Sequence, residues 1–170
     1  ETNNGTHLYK LLNAIETASN NNNVDGILLD FTNFQSPGAS STKEIRDALK
    51  KFKEKNKFIY AYSNIYSQTA YYLASVADSI FIYPTGSMSL EGLSATITFF
   101  TETMNEIGVK PEIIRHGKFK AAIEPFMLKK MSPENRQQTE TLIQDVWKTM
   151  LKDITESRQI SEVKINQMVD

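Results

Sequence analysis

The sequence predicts an α/β domain with a mostly parallel sheet and right-handed crossover connections. Three apolar runs, at residues 24–31, 57–63 and 79–83, lack polar alternation, which is typical of strands covered on both faces. Segments with apolar residues at helical spacing separate these runs. No repeat, linker or change of composition divides the 170 residues, so we predict one domain over residues 1–170.

The first half of the chain alternates helix and strand. A first amphipathic helix ends in the asparagine run at residues 20–23, before the strand at 24–31. A loop at 36–40 follows, and Ser41 with Glu44 fits a capping box for the second helix. An alanine-rich and aromatic-rich helix joins the second and third strands. The apolar positions that predict the first helix are Leu8, Leu11, Leu12, Ile15 and Ala18.

The second half begins at the turn 84–86, which is expected to close the third strand and to lead into an extended stretch up to residue 95. A helix ending near Gly108 and a strand at 109–115 come next. Ser132, Pro133 and Glu134 then supply an N-cap, a first-turn proline and an early acid for a helix of about 25 residues. The polar tail at 160–170 is compatible with the start of another helix.

Composition excludes several classes of function. The net charge is −1, and the densest lysine cluster, at 50–57, is interrupted by Glu54, so nucleic-acid binding has no compositional support. The chain has no cysteine and only two histidines, His7 and His116, which argues against thiol catalysis, disulfides and a histidine metal site. Nucleotide-binding and zinc-protease motifs are missing from the sequence, so we predict no cofactor and no metal.

No apolar run approaches the ~20 residues that span a bilayer, and no segment resembles a signal peptide. The chain starts at Glu1 rather than at a methionine. We therefore expect it to be a piece of a longer protein, with any targeting segment or anchor upstream.

The chemistry is expected at residues 116–126, where Lys120 lies between a glycine turn and small or apolar side chains. Desolvation there would lower the pKa of Lys120 towards the range of a general base. Because Glu124 precedes Pro125, it is expected outside the α region, and any helix begun at Lys120 should be about one turn long. The alternative is a surface ion pair between Lys120 and Glu124, four positions apart.

The amino-acid sequence of several segments resembles that of the signal peptide peptidase A family, also called protease IV. The resemblance is greatest to the N-terminal half of the family's long, two-repeat form. The likeness covers nearly the whole chain, and the pattern from Lys120 through Glu124-Pro125-Phe126 is its most specific part. The resemblance implies a fold of the ClpP/crotonase type. The other matching segments are 24–31, 36–38, 66–75 and 131–133.

The resemblance also implies a serine/lysine dyad with Lys120 as the general base, acting in a peptidase that degrades cleaved signal peptides. It further implies a membrane anchor outside these residues, and a location at the extracytoplasmic, periplasmic face of the bacterial inner membrane. A ring-like homo-oligomer, expected to be a tetramer, belongs to the same set of expectations. The partners would be peptide substrates and the protein's own C-terminal half.

This sequence departs from the family pattern where short-form members carry their nucleophile. Registering on Tyr71 and Tyr72 puts Gln68 at the serine position, and glutamine cannot attack a carbonyl. Ser67 is one residue early, so we interpret it as a helix cap. Ala39 replaces a glycine of the loop that supplies oxyanion donors in the short forms. We therefore expect this half to supply the base, and the C-terminal half the serine and the oxyanion donors.

Two further residues of the motif have expected roles, and the whole chain has two alternative functions. Glu124 is expected to orient the motif through hydrogen bonds, and His116 is either a solvated loop residue or a residue lining the site. For the chain, the alternative is a non-catalytic ClpP/crotonase-like module for assembly or peptide binding, with Lys120 as a remnant. An acyl-CoA-binding crotonase is a third reading, for which no feature of the sequence speaks.

Overall fold

The computed structural model describes residues 7–112 and 121–169. They form two compact units, the first built from the residues up to Gly92 and from Met150 onward, the second from Leu93–Thr149. The single domain expected over residues 1–170 stays a prediction. In chain order the helices are α1 (Leu8–Asn20), α2 (Ala39–Lys53), α3 (Gln68–Ala74), α4 (Thr101–Glu106), α5 (Glu124–Met127), α6 (Pro133–Arg158) and α7 (Glu162–Val169).

The first unit contains a three-stranded sheet of β1 (Gly26–Asp30), β2 (Phe58–Tyr66) and β3 (Ser79–Met88), in that spatial order. Both pairs of strands are parallel, as the βαβ alternation of the sequence predicts. The register places Leu28 beside Tyr60 and Tyr62 beside Phe81. The predicted α/β class is confirmed, and the sheet with its flanking helices is consistent with a ClpP/crotonase-like domain.

One face of the sheet carries the core. Alternate residues of β2 are fully buried there, because period-two alternation sends them all to the side on which the helices pack. Burying this much apolar surface is the main term that stabilises the unit. The buried apolar cluster is Ile15, Phe31, Ile45, Leu49, Phe52, Ile59, Ala61, Tyr66, Ala70, Leu73, Ala74, Val76 and Ala77.

The other face of the sheet is open in the described part of the chain, so the prediction of strands covered on both faces is wrong. Leu28 is 67% exposed and Phe81 is 52% exposed. The rings of Phe58 and Tyr60 lie 4.8 Å apart, and Tyr60 meets Phe81 edge-on at 5.9 Å. Apolar character marks a strand, but it does not reveal how many layers cover it.

The start of α2 also differs from the prediction. The helix begins at Ala39, and Gly38 is its N-cap, with φ +91° and no side-chain cap. Ser41 is therefore inside the helix, and the expected capping box is not formed. Thr42 instead donates from Oγ1 to the Gly38 carbonyl at 2.7 Å. Glycine tolerates the positive φ, so the helix has its N-cap at Gly38, three residues before the predicted N-cap Ser41.

The third strand runs further than predicted, through the turn residues to Met88. Its pairing with β2 is shifted beyond Ser63, which pairs with Ile82, whereas Ile65 pairs with Ser87. A bulge in β3 absorbs the residues that the sequence places in a turn. Gly86 lies in this bulge, where a Cβ would stand 2.2 Å from the main-chain oxygen of Asn64.

In the second unit, α4 ends at Glu106, and Gly108 follows with φ +75°, which confirms its place at the helix C-terminus. Residues 109–112 form no strand. The rest of the strand expected at 109–115 lies outside the described residues. The long helix predicted after Ser132 is confirmed as α6, with 26 residues, and the polar tail forms α7.

Candidate active site

The predicted general base, Lys120, lies outside the described residues, and so do Lys118 and His116. The catalytic role of Lys120 therefore stays a prediction. Ala121, its neighbour in the chain, is the first residue of a 3-10 turn, Ala121–Ile123, and α5 follows directly. The site can thus be built upward from the residues that follow the lysine.

The backbone after the lysine differs from the expectation in one respect. Glu124 is the first residue of α5, not an extended residue ahead of Pro125. Pro125 is tolerated because it lies in the first turn, where its missing N–H leaves no helical hydrogen bond unmade. The Glu124 carbonyl accepts from Leu128 N at 2.8 Å and closes the single turn. The segment is therefore two short turns joined at Ile123.

Glu124 is buried, with 3% of its surface exposed. Its carboxylate accepts hydrogen bonds from Ser132 N at 3.2 Å, from Ser132 Oγ at 2.5 Å and from Asn135 Nδ2 at 2.9 Å. A buried carboxylate is tolerated only when such donors replace water. These contacts agree with the orienting role expected for Glu124, whereas the surface-ion-pair alternative requires an exposed Glu124.

Ser132 has two tasks at the start of α6. Its Oγ donates to Glu124 and accepts from Asn135 N at 3.2 Å, which confirms the predicted N-cap. Asn135 is itself buried. The carboxylate of Glu124 thus lies at the positive end of a long helix, where a negative charge is stabilised.

The segment is also tied to α4. Phe100 N donates to the Pro125 carbonyl at 2.7 Å, and Thr101 Oγ1 donates to the Leu128 carbonyl at 2.6 Å. The rings of Phe100 and Phe126 stack with centroids 5.8 Å apart. Within the second unit, the residues after Lys120 are therefore held from two sides.

In the first unit, Ser67 is the N-cap of α3, as predicted. Its Oγ accepts from Ala70 N at 3.3 Å. Satisfying one of the free N–H groups at the helix start accounts for this serine.

Gln68, which the resemblance is expected to place at the position of the short-form nucleophile, holds a loop. Its Oε1 accepts from the N–H groups of Glu91 and Gly92, both at 2.9 Å, and its Nε2 donates to the Gly92 carbonyl at 2.9 Å. The amide therefore uses donor and acceptor together on two consecutive residues of main chain. Sequence reasoning recognised that Gln68 cannot be a nucleophile but not that it has this structural role.

The loop before α2 is occupied with its own contacts. Gly38 N donates to Ser36 Oγ at 3.4 Å. Ala39 is already the first helical residue. The expectation that this half does not make an oxyanion hole of its own stays a prediction.

Sequence analysis missed a buried polar cluster centred on Arg46, which is fully buried. Its Nη1 donates to the Tyr72 carbonyl and to Ser75 Oγ, at 2.7 and 2.8 Å. The Tyr72 hydroxyl donates in turn to the Asp153 carboxylate. Burial lowers the pKa of Arg46, and burial together with Asp153 raises the pKa of Tyr72. The available signal was an arginine adjacent to the apolar stripe of α2, beside Ile45.

A groove in the first unit lies between α1 and α2. Its lining mixes both signs of charge, which favours no single class of ligand, and none of the predicted site residues is among its described lining. Its charged lining residues are Glu16, Glu44, Asp47, Lys51, Glu54 and Lys55.

Residues 7–112 and 121–169 contain neither a cluster of metal ligands nor a helix that could span a membrane. Within those ranges, no group of three or more histidine or carboxylate side chains is placed to hold a metal ion. No helix there is long and apolar enough to cross a bilayer.

Comparison with known proteins supplies the family. Residues 51–170 match the family described as Peptidase family S49. The chain belongs to peptidase family S49. The match contains β2, α3 and β3, the lysine motif and α6, so Gln68, Lys120 and Glu124 all lie within it. The Ser36-Pro37-Gly38 loop lies before it.

Three proteins to which the chain is similar carry protease names. The chain is 34% identical over 154 residues to "Protease 4" of Salmonella typhi, and 32% identical over 168 residues to "Protease 4" of Haemophilus influenzae. It is 29% identical over 136 residues to "Serine protease SPPA, chloroplastic" of Arabidopsis thaliana. These alignments cover 91%, 95% and 78% of this chain, but only 25%, 27% and 20% of the relatives. The S49 chain described here therefore spans about a quarter of their length.

Proposed function

We propose that this S49 chain supplies the general-base lysine, Lys120, of a serine peptidase whose nucleophilic serine lies in the rest of the protein. The observation that carries the proposal is that the side chain of Gln68 is engaged in hydrogen bonds to the main chain. It stands where the short-form nucleophile would be, and its amide is bonded to the main chain of Glu91 and Gly92. The serine beside it caps α3.

The reaction needs Lys120 in its neutral form. The Nζ lone pair accepts the proton of the serine hydroxyl while Oγ attacks the scissile carbonyl, and the ammonium then returns a proton to the leaving amine. Water releases the acyl group in a second round of the same transfers. Serine–lysine pairs follow the same logic as the serine–histidine–aspartate triad, with one group fewer.

The partner of this chain is, in the same proposal, its own C-terminal half, which contributes the serine and the oxyanion donors. Cleaved signal peptides and similar apolar segments are the substrates, and the protein works as a ring-like homo-oligomer, a tetramer, at the extracytoplasmic side of a membrane. The names "Protease 4" and "Serine protease SPPA" of the relatives support a peptidase. The membrane, substrate and ring expectations rest on the family resemblance of the motif.

The test uses the full-length protein. Lys120→Ala should lower kcat for an apolar peptide by about 10³-fold, the range of a lost general base. Lys118→Ala, two positions earlier in the same segment, and Ser67→Ala are the matched controls and should stay within about twofold of the parent. A fluorophosphonate probe that labels activated serines, followed by peptide mapping, should mark a serine outside residues 1–170.

Two results would contradict the proposal. One is a labelled Ser67, or hydrolysis by the isolated chain that Ser67→Ala abolishes. The other is full turnover by Lys120→Ala with a changed oligomer size, which would establish the non-catalytic assembly module instead.

A further inference from the structure

We propose that Glu124 is a positioning residue for Lys120, connecting the lysine segment to the start of α6. The inference rests on the proposed function, because it concerns the placement of the proposed base. The contacts that support it lie wholly within the second unit.

The carboxylate of Glu124 is held firmly in place. A carboxylate with 3% exposure that accepts from a serine hydroxyl at 2.5 Å and from an asparagine amide at 2.9 Å has little freedom to move. Hydrogen bonds to an ionised acceptor are shorter and about twice as strong as neutral ones. Moving Glu124 would take the acceptor away from part-buried Ser132 and from buried Asn135 at once.

The hydrogen bonds of Glu124 attach it to the start of α6. Ser132 Oγ donates to Glu124 and accepts from Asn135 N, so one hydroxyl belongs both to the carboxylate site and to the cap of α6. Asn135 Oδ1 in turn accepts from Thr139 Oγ1 at 3.4 Å, one turn further along the helix. Glu124 is therefore attached to the first turns of α6, within the second unit.

Glu124 is close to the proposed base along the chain. Only the 3-10 turn Ala121–Ile123 separates Lys120 from Glu124 in the chain. Main-chain contacts from α4 and the closing hydrogen bond of α5 hold the other side of Glu124. We therefore expect a displacement of Glu124 to displace the base as well, because only three residues separate them. A misplacement of a catalytic group by about 1 Å can lower the reaction rate about 100-fold.

The expected kinetics separate positioning from folding. In the full-length protein, Glu124→Gln keeps the shape but turns an acceptor into a donor that faces other donors. We expect kcat to fall about 30-fold with KM within about twofold, because the loss concerns the transition state. Ser132→Ala should act in the same direction, and Ser132→Thr, which keeps the hydroxyl, should restore most of kcat. Glu134→Gln alters an exposed glutamate of the same helix turn and should change neither constant.

The decisive measurement is the effect of Glu124→Gln in the Lys120→Ala background. Once the base is gone, its placement no longer matters, so the double variant should retain the residual rate of Lys120→Ala alone. A further loss of the size seen in the single Glu124→Gln variant would show a merely structural role and overturn the inference. If Glu124→Gln does not fold, the same comparison is made with Ser132→Ala, alone and combined with Lys120→Ala.

The two proposals fail separately. Full turnover by Lys120→Ala removes the proposed function. An inactive Lys120→Ala together with an unchanged kcat in a folded Glu124→Gln leaves the proposed function in place and overturns only the positioning role.

Discussion

The Arg46 guanidinium on α2 lies against Asp153 on α6. Its Nε is 3.7 Å from Asp153 Oδ2, and its Nη2 donates to the Asp153 carbonyl at 2.6 Å. The two residues are 107 positions apart. Among the described residues Nε makes no hydrogen bond of its own, so the ion pair is its interaction.

Arg46→Met should therefore destabilise the chain strongly. The change keeps the aliphatic packing but leaves the largely buried Asp153 without its guanidinium partner, at a cost of about 3–5 kcal/mol. Urea unfolding measures the loss. Lys50→Met, which removes an exposed ion pair between the same two helices at 3.9 Å, should cost less than about 1 kcal/mol. Equal losses for the two variants would contradict this account.

Stability at low pH should depend on Asp78. Burial by itself raises the pKa of this carboxyl, but the hydrogen bond from Ile59 N at 2.8 Å and the ion pair with Lys53 Nζ at 2.9 Å outweigh it, so the pKa lies below its ordinary 3.8. Since the folded-state pKa is depressed, the contribution of Asp78 is complete above pH 3.8 and is lost as pH falls through the lower folded value.

The measurement is the urea midpoint as a function of pH. Asp78→Asn should flatten its fall below pH 3.8, whereas Lys53→Met, which leaves the Ile59 hydrogen bond, should flatten it only in part. A parent and an Asp78→Asn variant with parallel curves would refute the assignment.

Gln68 should protect the loop it holds. Gln68→Leu removes three hydrogen bonds to Glu91 and Gly92. Losing a hydrogen bond that contributes about 1.4 kcal/mol raises the equilibrium constant for local opening about tenfold. We expect the amides of Glu91 and Gly92 to exchange with solvent at least about tenfold faster. Gln68→Glu keeps the acceptor for both N–H groups and should retain most of the protection. Unchanged exchange in Gln68→Leu would show that the loop is held by other contacts.

Gly86 should not accept a side chain. An alanine Cβ would stand 2.2 Å from the main-chain oxygen of Asn64, and a backbone oxygen within a paired strand cannot move aside cheaply. We expect Gly86→Ala to lower the free energy of unfolding by about 2 kcal/mol. Ser87→Ala, at the exposed next position, should stay within about 0.5 kcal/mol of the parent. Similar values for the two variants would mean that the bulge relaxes.

Much of the fold follows from the sequence, because helix and strand periods are local properties. The extents of α1 and α6 and the parallel sheet are as predicted. The predicted capping box at Ser41 is wrong because the helix begins earlier, with Gly38 as its N-cap. The length of β3 was wrong because a bulge lets turn residues remain in a strand.

The sequence by itself determined the α/β class, the order of elements and the lysine motif, because periodicity and motif spacing are written along the chain. Only the tertiary structure decided which polar groups became buried partners. Glu124 is fixed in place because Ser132 and Asn135 donate hydrogen bonds to its carboxylate. Gln68 holds the loop after β3 because that loop lies against the start of α3. Such contacts join residues that are distant in sequence, and the free energy of a buried polar group depends on the donors and acceptors that surround it in space.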